Sequence, residues 1–467
     1  MKFKVYISAF IACFVGLTAV HAQTSKSAAF KMPAYQKFTL PNGLTVYLME
    51  QHEVPTISFS AVLPAGAIYD GSQSGLASLT ADALKLGTKS YSKSQIEQEL
   101  EFVGASLNTR AGKESATVSS KFAAKDQDKV LAILNEVITK PTFNTDELSK
   151  LQQRTLVELD QARQSPRSVI GSYWDKFVYG NHVYGNPLGG TKTTLGKLSQ
   201  AELKAFHASN YHANGSAIAV VGDFSSADMK AKLTKLFSAW QKGSTASSAK
   251  VSEAVAVPTK SRVLLVNKED ARETTFYIGG IGVSRNNPDY VALQVVNTVF
   301  GGRFTSWLND ALRVNSGLTY GASSAFLPQR NSGTFRISTF TKVATTTEAM
   351  DLALRVLDSL GKSGFDEKSL TSAKNYVKGQ FPPGYETSAQ LAGLLTDMFW
   401  FGFDESYINN FEKNVDALTL EKAREVINKY YPKNNLQFVV IGKASEIEPK
   451  LVKYGTVTKK EIKEDSF

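Results

Sequence analysis

The sequence has very little cysteine and histidine. Its single cysteine, Cys13, lies near the beginning of the chain, and only five histidines occur among 467 residues. The first 22 residues have the order of a secretory signal, with Lys2 and Lys4 before an uncharged apolar run that ends in "VHA". We predict that residues 1–22 are a cleaved signal peptide. The remaining chain would have no thiol, which excludes disulfides and cysteine-ligated metals.

Long apolar runs are also absent after residue 22. No later segment reaches the ~20 apolar residues that a membrane-spanning helix needs, so we predict no transmembrane anchor in the mature chain. The formal net charge is +10, but lysine and arginine are scattered, without dense clusters or interleaved aromatic residues. This pattern does not favour a nucleic-acid partner. We expect a periplasmic protein, and a secreted location is also compatible with the signal.

Two parts of the chain echo each other. "YHANGSAIAVVGD" begins at Tyr211 and "YPKNNLQFVVIGK" at Tyr431, and Tyr, Asn and Gly recur at one offset. Each stretch is a polar turn followed by a β-branched apolar run, which predicts a buried strand. A second echo joins "FNTDELSKLQQRTLVEL" at Phe143 to "FDEKSLTSAKNYVKGQF" at Phe365, both typical of capped helices. Two echoes at a similar separation predict a duplicated domain.

The boundary between the copies is predicted at residues 242–260. This segment is small, polar and poor in aromatic residues, as linkers are. It separates a predicted domain at 23–241 from another at 261–467. Each begins with strand-like alternation and continues into long helical patterns. The order predicts an α+β fold with two homologous domains, each a mostly antiparallel sheet covered by helices.

The stretch "GLASLTADALKLGT", residues 75–88, has the pattern of a short amphipathic helix between glycines. It holds one acidic residue, Asp82, and no histidine, glutamate or cysteine. A helix framed in this way suggests a site, but its residue types carry no obvious catalytic chemistry.

Three longer stretches resemble the pitrilysin/insulinase family of zinc peptidases, in its two-domain subunits. They are "FTLPNGLTVYLME" from Phe38, residues 181–223 ending in "SAIAVVGD", and "FGGRFTSWLNDALRVNSGLTYGASSAF" from Phe300. The three occur in the order expected for the family, and the resemblance covers nearly the whole chain after residue 22.

The resemblance implies a zinc motif that has been erased. Active members carry H-x-x-E-H on the helix matching residues 75–88, where two histidines ligate zinc and the glutamate activates water. The three positions fall on Ser78, Ala81 and Asp82, and the third ligand of the family falls on Glu158. Oxygen ligands alone bind zinc poorly, and Ala81 cannot accept a proton from water. We therefore expect no metal and no peptide hydrolysis from this chain alone.

Two other chemistries stay open at these positions. Asp82 and Glu158 could meet across two helices and hold Ca²⁺ or Mg²⁺, although two carboxylates are few, and a solvated pair is the simpler interpretation. Ser78 could be a nucleophile only with a base and an oxyanion hole, and nothing in the sequence places a histidine near it. His207 and His212 do not share a helical face, and we interpret both as structural or surface residues.

The second half contains a pair of residues, Arg313 and Tyr320, in a pattern that active members of the family also have. In "LRVNSGLTYG", Arg313 and Tyr320 have the spacing of a family pair that faces the zinc site, binds substrate and polarises the scissile carbonyl. Guanidinium and phenol groups are suitable donors for an oxyanion. Without the resemblance, Arg313 would be interpreted as complementing a helix C-terminus, and Tyr320 as packing at the start of a strand.

The resemblance therefore implies a division of labour between two chains. We predict an exported subunit that binds no zinc and supplies Arg313 and Tyr320 to a homologous zinc-binding partner, which hydrolyses extended peptides. The alternative is a catalytically inactive scaffold or peptide-binding protein of the same fold. A third hypothesis, a self-sufficient hydrolase with another metal, would require activity that a chelator removes.

Overall fold

The computed structural model describes residues 30–243 and 253–467. The predicted signal peptide, with Cys13, and residues 244–252 of the predicted linker lie outside the described residues. Two six-stranded sheets form the framework, and their strands come from opposite sides of that linker.

The first sheet has the strand order β1-β2-β6-β3-β5-β4. Only the β2–β6 pair is parallel, and the other four pairs are antiparallel. Its strands are β1 (Gln36–Thr39), β2 (Thr45–Glu50), β3 (Thr56–Leu63), β4 (Asn108–Ala111), β5 (Ala116–Ala123) and β6 (Ala217–Gly222). The helices of this half are α1 (Leu76–Ala83), α2 (Lys93–Phe102), α3 (Gln127–Thr139), α4 (Thr145–Ala162), α5 (Pro166–Tyr179), α6 (Lys192–Leu195), α7 (Gln200–Asn210) and α8 (Ser226–Phe237).

The second sheet repeats this arrangement in the order β12-β7-β11-β8-β10-β9. Its strands are β7 (Arg262–Asn267), β8 (Glu273–Ile281), β9 (Ala322–Pro328), β10 (Gly333–Lys342), β11 (Gln437–Gly442) and β12 (Thr456–Glu461). Its helices are α9 (Tyr290–Phe300), α10 (Trp307–Asn309), α11 (Thr346–Ser363), α12 (Glu367–Gln380), α13 (Ser388–Phe401), α14 (Glu405–Asn409), α15 (Phe411–Asp416), α16 (Leu420–Tyr430) and α17 (Ala444–Leu451).

The two sequence echoes occupy matching places in the two sheets. The β-branched runs form β6 and β11, each fully buried and third in its sheet, parallel to β2 and to β7 respectively. The helical echo forms α4 and α12, which are N-capped by the side chains of Asn144 and Asp366. The predicted α+β fold of two homologous halves with mostly antiparallel sheets is confirmed. The edges differ, because β1 pairs antiparallel with β2 whereas β12 runs parallel to β7.

One helix from each half packs on the sheet of the other half. Helix α5 contacts β8 and β11, and its buried Trp174 belongs to a cluster with Leu264 and Val439. In return, α13 contacts β3 and β6, where the Thr396 hydroxyl lies 3.3 Å from the Ser60 hydroxyl. The apolar side of α13 is therefore largely core, and part of that core is formed by strands of the opposite half.

The first and last described residues also pack against the opposite half or against the helix that reaches across from it. Phe30 stacks on Tyr385 of the second half, with ring centroids 5.5 Å apart. Phe467 packs edge-on against Tyr173 of α5, with centroids 5.1 Å apart. Apolar contacts in both directions join the halves into one packed body. Among the described helices, none has the length and apolarity needed to cross a membrane.

Candidate functional site

The stretch at residues 75–88 forms a helix only over α1, Leu76–Ala83, and its Gly87 and Thr88 form isolated β-bridges with Ser92 and Pro141. The beginning of α1 is built around two glycines. Gly75 has φ +91°, and a Cβ there would lie 2.9 Å from the Cα of Gly190, so a larger residue would clash with backbone. The buried Asp70 carboxylate accepts hydrogen bonds from the backbone N–H groups of Gly75 and Ala77, both at 2.8 Å. Burial raises the pKa of Asp70 to about 7. The Gly-Leu-Ala frame thus fixes the start of the helix.

The positions of the erased zinc motif carry no metal-binding set. The Ser78 hydroxyl donates to the carbonyl of Leu188 at 2.8 Å, and Ala81 is fully buried. Asp82 is partly buried, and burial raises the pKa of its carboxyl group. Glu158 on α4 is 61% exposed and lies 3.6 Å from the guanidinium of Arg154, one turn earlier.

The structure brings Asp82 and Glu158 towards each other from α1 and α4. The charge of Glu158 adds to the upward shift in the pKa of Asp82, while Lys85 and Arg154 oppose it. Two carboxylates with neighbouring cations and no imidazole do not fit zinc. Within residues 30–243 and 253–467, no group of three or more His, Cys, Asp or Glu side chains could hold a metal ion.

The histidines serve other contacts. His207 on α7 places Nε2 2.8 Å from the carbonyl oxygen of Ile138, and burial lowers its pKa to about 4. His52 is exposed, with Nδ1 2.8 Å from the Asp223 carboxylate. None of the hydrogen bonds made by the four histidines of the described chain reaches Ser78. Within the described part of the chain, Ser78 therefore has no histidine hydrogen-bonded to it as a general base.

In the second half, Arg313 lies on a π-helical turn, Asp310–Asn315, that continues α10. Such turns are rare and occur frequently at functional sites. The guanidinium of Arg313 lies 4.4 Å from the ring centroid of Phe304, which is 66% exposed. The neighbouring Val314 is 64% exposed. Arg313 therefore covers an exposed ring instead of being buried in an ion pair.

Tyr320 follows on the same segment, just before β9, and is 82% exposed. Its backbone is held on both sides by strand β10. The Thr339 hydroxyl donates to the carbonyl of Gly321 at 2.8 Å, and the Thr341 hydroxyl donates to that of Leu318 at 2.7 Å. The ring of Tyr320 stacks on Phe340, with centroids 6.4 Å apart and an interplanar angle of 29°. An exposed phenol is thus displayed on a firmly attached loop.

Two family models match adjoining parts of this chain. The model described as insulinase, peptidase family M16, matches residues 45–192, and the model described as peptidase M16 inactive domain matches residues 197–377. The chain belongs to peptidase family M16. The resemblance drawn from the sequence is thereby confirmed, and the first match spans α1 and α4 whereas the second spans Arg313 and Tyr320.

Individual M16 relatives are similar over most of the chain. A protein of Rickettsia bellii named an uncharacterized zinc protease is 25% identical over 300 residues, 64% of this chain and 71% of its own. The non-peptidase homolog YmxG of Helicobacter pylori is 22% identical over 86% of this chain and 94% of its own. A crystal structure of a peptidase M16 inactive domain from Pseudomonas fluorescens is 27% identical, with a TM-score of 0.81 over 92% of this chain and 99% of that one.

The sequence patterns do not show the aromatic surroundings of Arg313 and Tyr320 in this M16 chain. Phe304 lies in the nearby "FGGRF", whereas Phe340 lies on the next strand, β10, and Arg167 of α5 comes from the other half. Alternation along β10 could have shown that Phe340 lies opposite the buried Phe335 and Ile337. The register of the β9–β10 pair and the loop before β9 place it beside Tyr320, and both are seen only in the structure.

Proposed function

We propose that this chain is the non-zinc-binding subunit of an exported M16 peptidase. Arg313 and Tyr320 enter the active site of a homologous zinc-binding chain, and the assembled pair cleaves extended peptides. The observation that carries the proposal is the contrast between the halves. Helices α1 and α4 hold no zinc-binding set, whereas an exposed Tyr320 is held firmly on the segment that also carries Arg313.

The exposure of these side chains supports an incomplete site. Phe304, Val314 and Tyr320 are large, apolar in part, and all exposed on the segment that carries Arg313. Exposed apolar side chains grouped with a cation are typical of surfaces that another molecule covers. Once water is excluded there, the guanidinium and phenol donors can stabilise charge on a carbonyl oxygen far better than they do in water.

The relatives are consistent with an inactive chain. YmxG of H. pylori is named a non-peptidase homolog, and the P. fluorescens structure is described as an inactive domain. By analogy, this chain acts through a partner. Its extended substrate can add as a strand to a free sheet edge, such as β4 or β9. The predicted signal peptide supports export to the periplasm.

The test is co-expression with a candidate partner that carries an intact H-x-x-E-H, followed by a peptide-cleavage assay of the purified complex. We expect Arg313→Ala and Tyr320→Phe each to lower kcat by ~100-fold or more, as loss of one oxyanion donor does. Arg303→Ala is a matched control, because Arg303 also lies near an exposed ring, that of Tyr376, at 5.8 Å.

Two results would contradict the proposal. Turnover that survives both substitutions would assign the chain to the scaffold alternative. Chelator-sensitive cleavage by this chain alone would show a self-sufficient hydrolase.

A further inference from the structure

Three side chains from the two halves form a stack at the Tyr320 loop. The guanidinium carbon of Arg167 lies 3.3 Å from the ring centroid of Phe340. Phe340 in turn stacks with Tyr320 at 6.4 Å. Arg167 belongs to the first half, and the two rings belong to the second. The stack therefore exists only because α5 crosses to the second sheet.

The side chains of Phe340 and Arg167 are each oriented by the strand or helix that carries them. Along β10, Phe335 and Ile337 are fully buried in the core, so Phe340 lies on the opposite face, where α5 packs. Arg167 is in the first turn of α5, and its guanidinium also lies 3.3 Å from the carboxylate of Glu273 on β8. The ion pair and the ring together hold the guanidinium above Phe340.

Tyr320 has little freedom except rotation of its side chain. The Thr339 and Thr341 hydroxyls fix the carbonyls of Gly321 and Leu318, so the loop backbone cannot shift far. An exposed tyrosine on a fixed backbone would otherwise sample several rotamers. The ring of Phe340 supplies one face against which a single rotamer is favoured.

We propose that Arg167 is a positioning residue for Tyr320 and acts through Phe340. It holds the ring of Phe340 in place, and that ring selects the rotamer that presents the Tyr320 hydroxyl. The consequence for turnover rests on the proposed function, whereas the consequence for the conformation of Tyr320 does not.

The experiment places 3-fluorotyrosine at position 320 of the full chain and records its ¹⁹F resonance. We expect Phe340→Leu and Arg167→Ala to move this resonance towards the position of free 3-fluorotyrosine and to narrow it. Arg167→Lys keeps the charge beside Glu273 but loses the flat stacking surface, so it should move the resonance part of the way.

Arg336→Ala is the matched control. Arg336 lies on the same strand and stacks on another ring, that of Tyr277, at 4.3 Å. It should leave the resonance in place. An unchanged thermal unfolding curve for Arg167→Lys would show that any shift is local.

The proposal is wrong if Arg167→Ala leaves the resonance where it is in the parent protein. It is equally wrong if Arg336→Ala moves the resonance as far as Arg167→Ala does. Both results are independent of catalysis.

The assembled peptidase provides a second readout. Arg167→Ala should lower kcat roughly 10-fold with little change in KM, because small displacements of a catalytic group are costly. If Tyr320→Phe leaves turnover intact, the proposed function fails, and the ¹⁹F result still decides whether Arg167 positions Tyr320.

Discussion

The half-buried His207 should make this protein less stable in mild acid. Its imidazole Nε2 lies 2.8 Å from the Ile138 carbonyl oxygen, and its ring stacks on Tyr211 at 4.7 Å. Burial lowers its pKa from 6.5 to about 4. Between these values the unfolded chain binds a proton that the folded chain does not, so the free energy of unfolding falls as the pH falls through 6.5 towards 4.

The magnitude follows from the two pKa values. At pH 5 the unfolded imidazole is almost fully protonated and the folded one is mostly neutral, whereas at pH 7 both are largely neutral. The full shift corresponds to a loss of about 2 kcal/mol between pH 7 and pH 5. Because the residue is only partly shielded from solvent, we expect about 1–2 kcal/mol.

His207→Gln tests this value, since a glutamine amide can still donate to the Ile138 carbonyl but does not titrate. Relative to the parent protein, the variant should gain about 1–2 kcal/mol of stability on going from pH 7 to pH 5, measured by urea unfolding. An NMR titration of the His207 ring in the parent protein gives the pKa directly.

His52→Gln is the matched control with the opposite sign. His52 is exposed, and hydrogen bonds to Asp223 and Glu50 raise its pKa above 6.5. Its contribution to stability is present below pH 6.5 and lost as the pH rises, so this variant should lose stability relative to the parent protein at pH 5. The reasoning fails if His207 titrates near pH 6.5, or if both variants respond to pH in the same direction.

Three further perturbations test the packing and the erased site. Trp174→Ala empties a fully buried position where α5 meets the second sheet, and should cost about 3–5 kcal/mol in urea unfolding. The buried Glu114 carboxylate accepts hydrogen bonds from the Tyr184 hydroxyl at 2.5 Å and from the backbone N–H of Arg330 at 3.1 Å. Glu114→Ala removes this acceptor and should lower the free energy of unfolding by about 1–3 kcal/mol in the same measurement. The triple change Ser78→His, Ala81→Glu and Asp82→His should restore binding of about one zinc per chain, with Glu158 as third ligand, in elemental analysis after dialysis.

Each of these has its own control. Trp400→Ala tests whether the packing of α13 on the first sheet is as sensitive to truncation as the packing of α5 on the second. If Trp174→Ala lowers the free energy of unfolding by less than about 1 kcal/mol, the packing described for α5 is contradicted. Glu114→Gln should cost less than Glu114→Ala, because one acceptor remains. For the zinc variant, adding Glu158→Gln should weaken metal retention, and equal retention would show that Glu158 is not the third ligand.

Much of the fold could be predicted because the two halves of the chain repeat the same sequence pattern and can be compared with each other. The repeated Tyr, Asn and Gly positions matched β6 to β11, and a β-branched run without charge has no stable place except a buried strand. The start of α1 could also be predicted, because Gly75 marks it, but the helix ends at Ala83, before the Gly-Thr pair at residues 87–88. The family resemblance places the zinc motif at Ser78, Ala81 and Asp82, and the residue types at these positions then show that both histidines and the glutamate are missing.

Sequence patterns do not show how α5 and α13 pack or that Arg313 lies on a π-helical turn. The amphipathic patterns of α5 and α13 show that each helix has an apolar side, but any sheet of suitable shape can cover such a side. Only the packed structure shows that each covers the sheet of the opposite half. The π-helical turn at Arg313 likewise depends on one hydrogen-bond register that tertiary contacts select.

By itself, the sequence determined the two-sheet architecture through local periodicity, and it determined the family and the loss of the zinc ligands through its resemblance to the motifs of that family. The tertiary structure decided how the halves interlock and how Tyr320 is presented. Its ring stacks on Phe340 beneath Arg167, and these residues are distant in sequence. Contacts of that kind are set by the packing of complete elements, because a side chain reaches its neighbour only after the helices and strands that carry both have docked.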